Sequence, residues 1–318
     1  MEAKVVKPYD RKQTLGFART VLEKKFGVSV GKIKYVGGGS YGFVYKAEIP
    51  TAPYTVIIKA CRAEGMHKNE AAALRKLGES STVNIPEVYF TFDADGDIPM
   101  DFICEEFVEG KDCFTDFSKL FLSEEKKMRF ADNVATALGH WHGITSGKFG
   151  DLENPQYDNW LDIYKPFAED VFNTARDMYE SGKLDGKIFR AMENAMSHFD
   201  FVFSEPVEIA SLIHGDLNVM NIMADRNLNT TAVIDPLGSK WADREYDLFQ
   251  LGNLTGDRFH LYETYKRKFG VSEKCDLKCA FYALYNELFC CAQSGSTTAM
   301  ILPMVKRWNS EKSKFGLS

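Results

Sequence analysis

One stretch narrows the fold of this chain more than any other: Leu212-Ile213-His214-Gly215-Asp216-Leu217-Asn218-Val219-Met220-Asn221, running into Ile222-Met223-Ala224, a polar turn, and Thr231-Ala232-Val233-Ile234-Asp235. The apolar runs flanking the turn read as the two strands of a short hairpin, set among segments with helical spacing. If the turn from Asp225 to Asn229 is centred on Leu228, antiparallel pairing brings Asn221 opposite Asp235 at the open end of the hairpin. An amide and a carboxylate then face one site. Oxygen donors of this kind suit a hard cation such as Mg²⁺, which completes its shell with water and phosphate oxygens. Asp216 enters on the loop leading into the same hairpin, where a carboxylate can accept a hydrogen bond from a hydroxyl and align it with a phosphate. Singly, each of these is an ordinary turn residue; as a set they point to phosphate chemistry.

A second pattern supports the first. Gly37-Gly38-Gly39-Ser40-Tyr41-Gly42-Phe43-Val44 fits G-x-G-x-x-G-x-V, a spacing in which Gly37, Gly39, Ser40 and Gly42 let a tight strand-to-strand turn lay its N–H groups over phosphates. Glycine-rich turns are common, so the weight falls on the next apolar segment, Val56-Ile57-Ile58-Lys59, a β-rich run closing in a lysine. An edge lysine that snorkels is the bland account. The sharper one is that Glu70, opening the next helix, holds the ammonium while it meets the α- and β-phosphates.

Around these motifs the chain changes character once. Residues 33 to 59 alternate β-branched and aromatic residues with glycine and proline, and 88–92 and 102–108 read as further strands, with helices over 15–26 and 69–77. From Ser123, a plausible N-cap, Met128, Ala131, Ala135, Leu138 and Trp141 recur at helical spacing, and helices are expected over 161–180, 185–200, 244–252, 258–268 and 277–291. The expectation is an α+β fold of two lobes: residues 1–108, a small antiparallel-sheet lobe that binds nucleotide, and 109–318, a larger, mainly helical lobe for catalysis and substrate. A net charge of −6 without a basic run gives no footprint for nucleic acid or an anionic membrane. The polar first residues and the lack of a long apolar run predict a cytoplasmic protein with neither signal peptide nor membrane span. The seven cysteines have no CxxC spacing and read as reduced core thiols.

HGDxxxxN followed by an aspartate after a short hairpin resembles the aminoglycoside phosphotransferase-like kinases, which include fructosamine kinases and choline kinases. The resemblance spans about residues 33 to 291. It implies a protein-kinase-like fold using ATP and Mg²⁺, with Asp216 as catalytic base, Asn221 and Asp235 as metal ligands, and Lys59 with Glu70 as the nucleotide ion pair. It further implies that the backbone of Glu106-Phe107-Val108 binds adenine, and that Asp247 braces the catalytic loop.

The acceptor is read as a hydroxyl on a small molecule, aminoglycoside- or sugar-like, with ketosamines and choline-type amino alcohols as alternatives. Protein kinases carry HRD, DFG and APE around a long activation segment. Here Gly215 replaces the arginine, Asp235-Pro236-Leu237 replaces DFG, and eleven residues separate Asp235 from Asp247, too few for peptide docking. Asp-Pro after the hairpin, Arg244-Glu245-Tyr246-Asp247-Leu248, and Phe149-Gly150 with Asn159-Trp160 look like features of fructosamine kinases and some antibiotic kinases. Asn218 stands where the fructosamine type has tryptophan. Asp243 and Glu245 can supply counter-charge to an amine-bearing substrate, though a solvated helix start explains them as well. His140 and His142 read as helix-end or core histidines, and His214 as a residue that orients its loop. A catalytically silent nucleotide-binding module is the reading from another class; such relatives lose the lysine, the base or a metal ligand, and all are present here.

Overall fold

A computed structural model of the chain describes residues 8–39, 42–294 and 298–318. The first elements are α1 (Arg11–Phe26), β1 (Ile33–Gly39), β2 (Gly42–Glu48), β3 (Thr55–Cys61), α2 (Met66–Gly78), β4 (Val88–Phe92), β5 (Asp101–Glu106) and β6 (Lys111–Asp112). Next come α3 (Glu124–His142), β7 (Thr145–Ser146), β8 (Phe149–Gly150), β9 (Pro155–Tyr157), α4 (Leu161–Glu180), α5 (Gly186–Ser197), α6 (Phe199–Val202) and β10 (Ala210–Ile213). The hairpin β11 (Ile222–Ala224) and β12 (Thr230–Val233) precedes β13 (Lys240–Ala242), α7 (Leu248–Leu251), α8 (Leu261–Phe269), α9 (Cys275–Ser294) and α10 (Leu302–Lys314).

Two compact units result, and they are not the contiguous stretches 1–108 and 109–318 expected from the change of pattern. Of the described residues, one unit takes in those up to Lys126 together with Met220–Leu237; the other takes in those of Lys127–Val219 and Gly238–Ser318. The hairpin joins the amino-terminal unit because β11 pairs with β6, Met223 opposite Asp112 and Ala224 opposite Lys111. Buried Lys119 strengthens that junction by donating to the carbonyls of Lys111 (2.6 Å) and Ala224 (3.0 Å).

In the amino-terminal unit an antiparallel sheet of order β1-β2-β3-β5-β4 has a helix against each face. The two-residue period of the strands sorts their side chains. Val56, Ile58 and Ala60 of β3 and Phe102 and Cys104 of β5 pack with Ala18, Val21 and Leu22 of α1. Cys61 and Ile103, on the opposite face, pack with Met66, Ala71 and Leu74 of α2. α1 begins earlier than expected because Asp10 caps it: the Asp10 carboxylate accepts from the Gln13 N–H (2.8 Å), and the Gln13 side chain accepts from the Asp10 N–H (3.0 Å).

The second unit is built on α9, whose residues Leu277, Ala280, Phe281, Tyr282, Leu284, Tyr285 and Leu288 are all buried. An aromatic cluster surrounds it, with Tyr164 4.7 Å from Tyr282 and Phe203 5.2 Å from Phe281, centroid to centroid. Five short strands form a sheet of order β7-β10-β13-β8-β9, and α10 extends the helical layer; none of these elements was expected from the sequence. The expected helix over 244–252 is instead a 3₁₀ turn, Arg244–Tyr246, followed by the short α7. Among the described residues no helix is long and apolar enough to cross a membrane.

Because the two bonds of the Asp10 cap satisfy otherwise orphaned groups, Asp10→Ala is expected to cost about 1 kcal/mol. Scanning calorimetry reads this as a fall of about 2 °C in Tm; Asp10→Asn, which keeps an acceptor, is expected to recover most of it.

Candidate active site

The glycine-rich turn joins β1 to β2. Ser40, expected to take part in it, lies with Tyr41 outside the described residues. Two of its glycines are required by packing. A Cβ at Gly38 would stand 2.5 Å from the carbonyl oxygen of Gly42, and one at Gly42 would stand 2.8 Å from that of Ala60. Gly37 and Gly39, which the sequence spacing singled out, have open space where a Cβ would sit. Gly37 and Gly38 line a cavity of about 540 Å³, whose apolar lining includes Val44, Ile57, Met223 and Ile234 and whose polar lining includes Lys59, Glu105 and Asp235. Glu106, Phe107 and Val108 line it too.

Lys59 follows from the register. It pairs with Val44 of β2 and Ile103 of β5, so its side chain shares the α2 face with Ile57 and, on β5, Glu105. Its ammonium meets three carboxylates: Glu70 at 2.5 Å, Glu105 at 2.8 Å, and Asp235. Burial alone would pull the lysine pKa down, but Asp235, Glu105 and Glu70 outweigh it and hold the group well above the ordinary lysine range. Burial also pushes the Glu70 carboxyl up to about 8 against the pull of Lys59, and raises that of Glu105. The sequence reading named Glu70 and missed Glu105. The signal was present: once Lys59 and Ile103 are paired, alternation puts position 105 on the lysine's face.

The hairpin has the expected strands but not the expected register. Ile222 pairs with Val233 and Met223 with Ala232, whereas Ala224 pairs with Thr230, so a bulge at Thr231 shifts the ladder by one residue. Asn221 therefore lies opposite Ile234, whose N–H donates to the Asn221 carbonyl at 3.0 Å, and not opposite Asp235. The turn is centred on Asn227, one residue earlier than assumed: the Asp225 N–H donates to the Asn229 carbonyl, and Asn227 and Asn229 donate N–H groups to the Asp225 carboxylate, so the register differs by two positions at the turn and the bulge at Thr231 recovers one of them. Asp235 leaves the ladder with φ 57°, an uncommon conformation outside glycine, and turns its carboxylate to Lys59.

In the other unit, β10 pairs with β13 through Ser211–Ala242, Leu212–Trp241 and Ile213–Lys240 and delivers the loop that carries Asp216. Asp247, fully buried, pins this loop by accepting the N–H groups of His214 (2.7 Å) and Gly215 (2.6 Å), and it also lies 3.2 Å from Nε2 of His142. The bracing role implied for Asp247 thus has a geometric basis, and His142 is a core histidine that meets Tyr265 through Nδ1 (2.6 Å). Gly215 has φ 82°, and a Cβ there would stand 2.2 Å from the backbone of Gly238. A side chain such as the arginine of protein kinases is excluded by that crossing.

The Asp216 carboxylate is oriented by two amides: Oδ1 accepts from Nδ2 of Asn218 and from Nε2 of Gln250, each at 3.0 Å. The Asp216 N–H donates to Nδ1 of His214 (3.3 Å). Gln250 lies 34 residues away in sequence, so no local pattern announced it. Asp216, Asn218, Gln250, Asp257, Glu287 and Cys290 all line a cavity of about 900 Å³, to which Lys306 and Arg307 also contribute. Burial raises the Glu287 carboxyl.

Asp243 and Glu245 are neither solvated nor directed at this cavity. Both are buried against Lys278, at 3.1 and 2.6 Å, and Asp243 also accepts from the Tyr282 hydroxyl while Glu245 accepts from Ser272. The bland account of a solvated helix start fails because α9 supplies a buried lysine that needs counter-charge.

The sequence profile of the fructosamine kinase family matches residues 16–300. None of the curated proteins matches the chain. Among solved structures, a fructosamine-3-kinase candidate from Thermobifida fusca aligns with TM-score 0.66 at 19% identity, covering 93% of this chain and 98% of that one. A similar candidate from Haemophilus somnus gives 0.67 at 18%, with 94% and 98% covered. A thermostable mutant of aminoglycoside phosphotransferase APH(4)-Ia, in ternary complex with AMP-PNP and hygromycin B, gives 0.68 at 16%, with 92% and 97% covered. These likenesses establish the protein-kinase-like fold, an antiparallel-sheet part followed by a helical one.

The raised Glu70 carboxyl has a consequence for stability. A group whose folded pKa lies above its unfolded value of 4.5 stabilises fully below about 4.5, and that stability is lost as pH climbs through about 8. Glu70→Gln cannot ionise, so its Tm is expected to fall less than the wild type's between pH 5 and 8.5. Parallel curves would refute the assignment.

Proposed function

The chain belongs to the fructosamine kinase family, and from that premise we propose that it moves the γ-phosphate of ATP onto a sugar hydroxyl of a ketosamine, a sugar joined to an amine. Phosphoryl transfer to a small molecule is the reaction class of this family. The family match carries the choice of acceptor, and the observation that carries the transfer is the Asp216 carboxylate, oriented by Asn218 and Gln250 on a loop pinned by Asp247 and lining a cavity large enough for such an acceptor. Asp216 accepts the hydrogen bond of the attacking hydroxyl, aligns it with the phosphorus, and takes its proton as the P–O bond forms. Asn218, in the place of the tryptophan of the fructosamine type, contributes an amide that steadies this base.

For the nucleotide, the cavity of about 540 Å³ offers Val44, Ile57, Met223 and Ile234 as apolar surface for adenine and the backbone of Glu106–Val108 for its edge. Lys59, partnered by Glu70, meets the α- and β-phosphates, beneath the turn that carries Gly37, Gly39 and Gly42. The donor set of Asp235 and Asn221, one carboxylate and one amide on neighbouring positions of the hairpin, fits Mg²⁺ in its all-oxygen chemistry. Held there, Mg²⁺ supplies charge neutralisation for the phosphates. Asp257, Glu263 and Glu287 along the larger cavity favour an acceptor that bears an amine. ATP use and seven free cysteines, six of them buried, fit a cytoplasmic location.

Asp216→Asn is expected to lower kcat by at least about 100-fold, with Tm and the KM for ATP nearly unchanged. The acceptor class is tested by ³¹P detection of product across ketosamines, aminoglycosides, choline-like amino alcohols and simple sugars. The highest kcat/KM is expected on a ketosamine; turnover confined to another group would overturn the acceptor and leave the chemistry intact.

A further inference from the structure

Resting on the reading of Lys59 as the phosphate-binding lysine, we propose that Glu105 is a second positioning carboxylate. Together with Glu70 it fixes the Lys59 ammonium, and it leaves the contact with Asp235 as the one a nucleotide phosphate replaces.

An ammonium has three donors, and here three carboxylates surround it. A phosphate can reach Lys59 only by displacing one of them. The three are not equivalent. Glu70, on α2, and Glu105, on β5, each keep only 4% of their side-chain surface exposed. Both lie on elements tied into the sheet: β5 pairs with β3 from Val56–Glu106 to Cys61–Asp101, and α2 packs on Ile103. Asp235 keeps 35% of its side chain exposed, follows the end of its strand, and lines the cavity beside Lys59. It is the partner that can leave.

Glu105 has no evident structural use. Among the described residues its one ion pair is with Lys59, and its Oε2 is buried without a hydrogen-bond partner. A buried carboxylate with an unsatisfied oxygen destabilises, and a methionine of similar length would fill the same space at lower cost. Removing Glu105 leaves no orphaned charge either, because Lys59 retains Glu70 and Asp235. Its benefit therefore lies in where it holds the ammonium. With Glu70 alone, the four-carbon stem of Lys59 is free to follow Asp235; with a carboxylate on either side, the head stays beneath the phosphates when Asp235 leaves.

The test compares Glu105→Met, Glu105→Gln and Lys59→Met with the wild type, reading Tm by calorimetry and the affinity for Mg·AMP-PNP by titration, so that no acceptor is needed. The expected result is binding weaker by about tenfold in Glu105→Met, less in Glu105→Gln, which keeps a neutral acceptor, and a larger loss in Lys59→Met. Tm is expected to stay level or rise in both Glu105 variants, an outcome a merely structural residue would not give. Binding within about twofold of wild type in Glu105→Met, alongside a clear loss in Lys59→Met, would overturn the role of Glu105 alone. A drop of Tm in both Glu105 variants that parallels the loss of binding would reassign the residue to the fold. Unchanged binding in Lys59→Met would overturn the underlying reading of the lysine, and the role of Glu105 with it.

Discussion

A single ammonium, that of Lys59, is the charge around which the amino-terminal unit is arranged. A lysine this buried would shed its proton without partners, and each partner comes from a different element: Glu70 from the helix on one sheet face, Glu105 from the neighbouring strand, Asp235 from the hairpin. The period of the strands, the start of α2 and the bulge of the hairpin therefore answer to one electrostatic requirement. Burial, with the neighbouring Glu105 and Asp235 carboxylates adding to it, drives the Glu70 carboxyl up to about 8 against the pull of Lys59, while the three carboxylates hold the lysine charged. Such an end to a cavity repels bare phosphate and favours phosphate that arrives with its cation.

Asp247 solves the corresponding problem in the other unit with two backbone groups beside the His142 ring. Two N–H groups in succession, from His214 and Gly215, point at one buried carboxylate, and this arrangement sets the direction of the chain immediately before Asp216. The glycine at 215 follows from the same constraint, since the loop crosses the backbone of Gly238 with no room for a Cβ. What distinguishes this loop from that of a protein kinase is thus steric as well as chemical. The residue that could read a phosphorylated segment is absent because the backbone fills its place.

Much of this was legible in advance, and the reasons separate cleanly. The strands bearing Lys59 and the hairpin carry strong alternation or a polar turn, and Asp216, Asn221 and Asp235 are close enough in sequence for spacing to relate them. The register at Asn221 was misjudged because the turn centres on Asn227 and not on Leu228, and the one-residue bulge at Thr231, which makes up only half of that difference, leaves no trace in the polarity of Thr230 and Thr231. Strands of two to four residues, such as β7, β8 and β10, are too short for periodicity to declare itself against helical surroundings. Glu105 escaped attention although alternation from Lys59 through Ile103 leads to it, because an acid near the end of a strand reads as an edge residue. Gln250 was beyond reach, since its partner is 34 positions away and an amide carries no motif. Asp243 and Glu245 show the reverse error. Two acids at the start of a presumed helix, close to a presumed metal ligand, read either as solvated or as counter-charge for a substrate, yet a lysine from a distant helix had already claimed them.

These differences explain why the reaction class is easier to read than the acceptor. The residues proposed to handle phosphate sit on backbone devices, the glycine turn, the pinned loop and the bulged hairpin, whose demands on sequence are local and recur as motifs. The cavity beside Asp216 is instead lined from the turn after α7 and from α8, α9 and α10, whose sequences are set first by packing around buried Tyr282 and Trp308. On such helices a residue facing the cavity, Glu287 for instance, is one position in a helical repeat and has no partner in sequence to mark it. Volume and polarity there can drift while the core keeps its fill, so 16–19% identity suffices to retain the fold. Acceptor choice in a scaffold of this kind is therefore written in three dimensions before it is written in any motif.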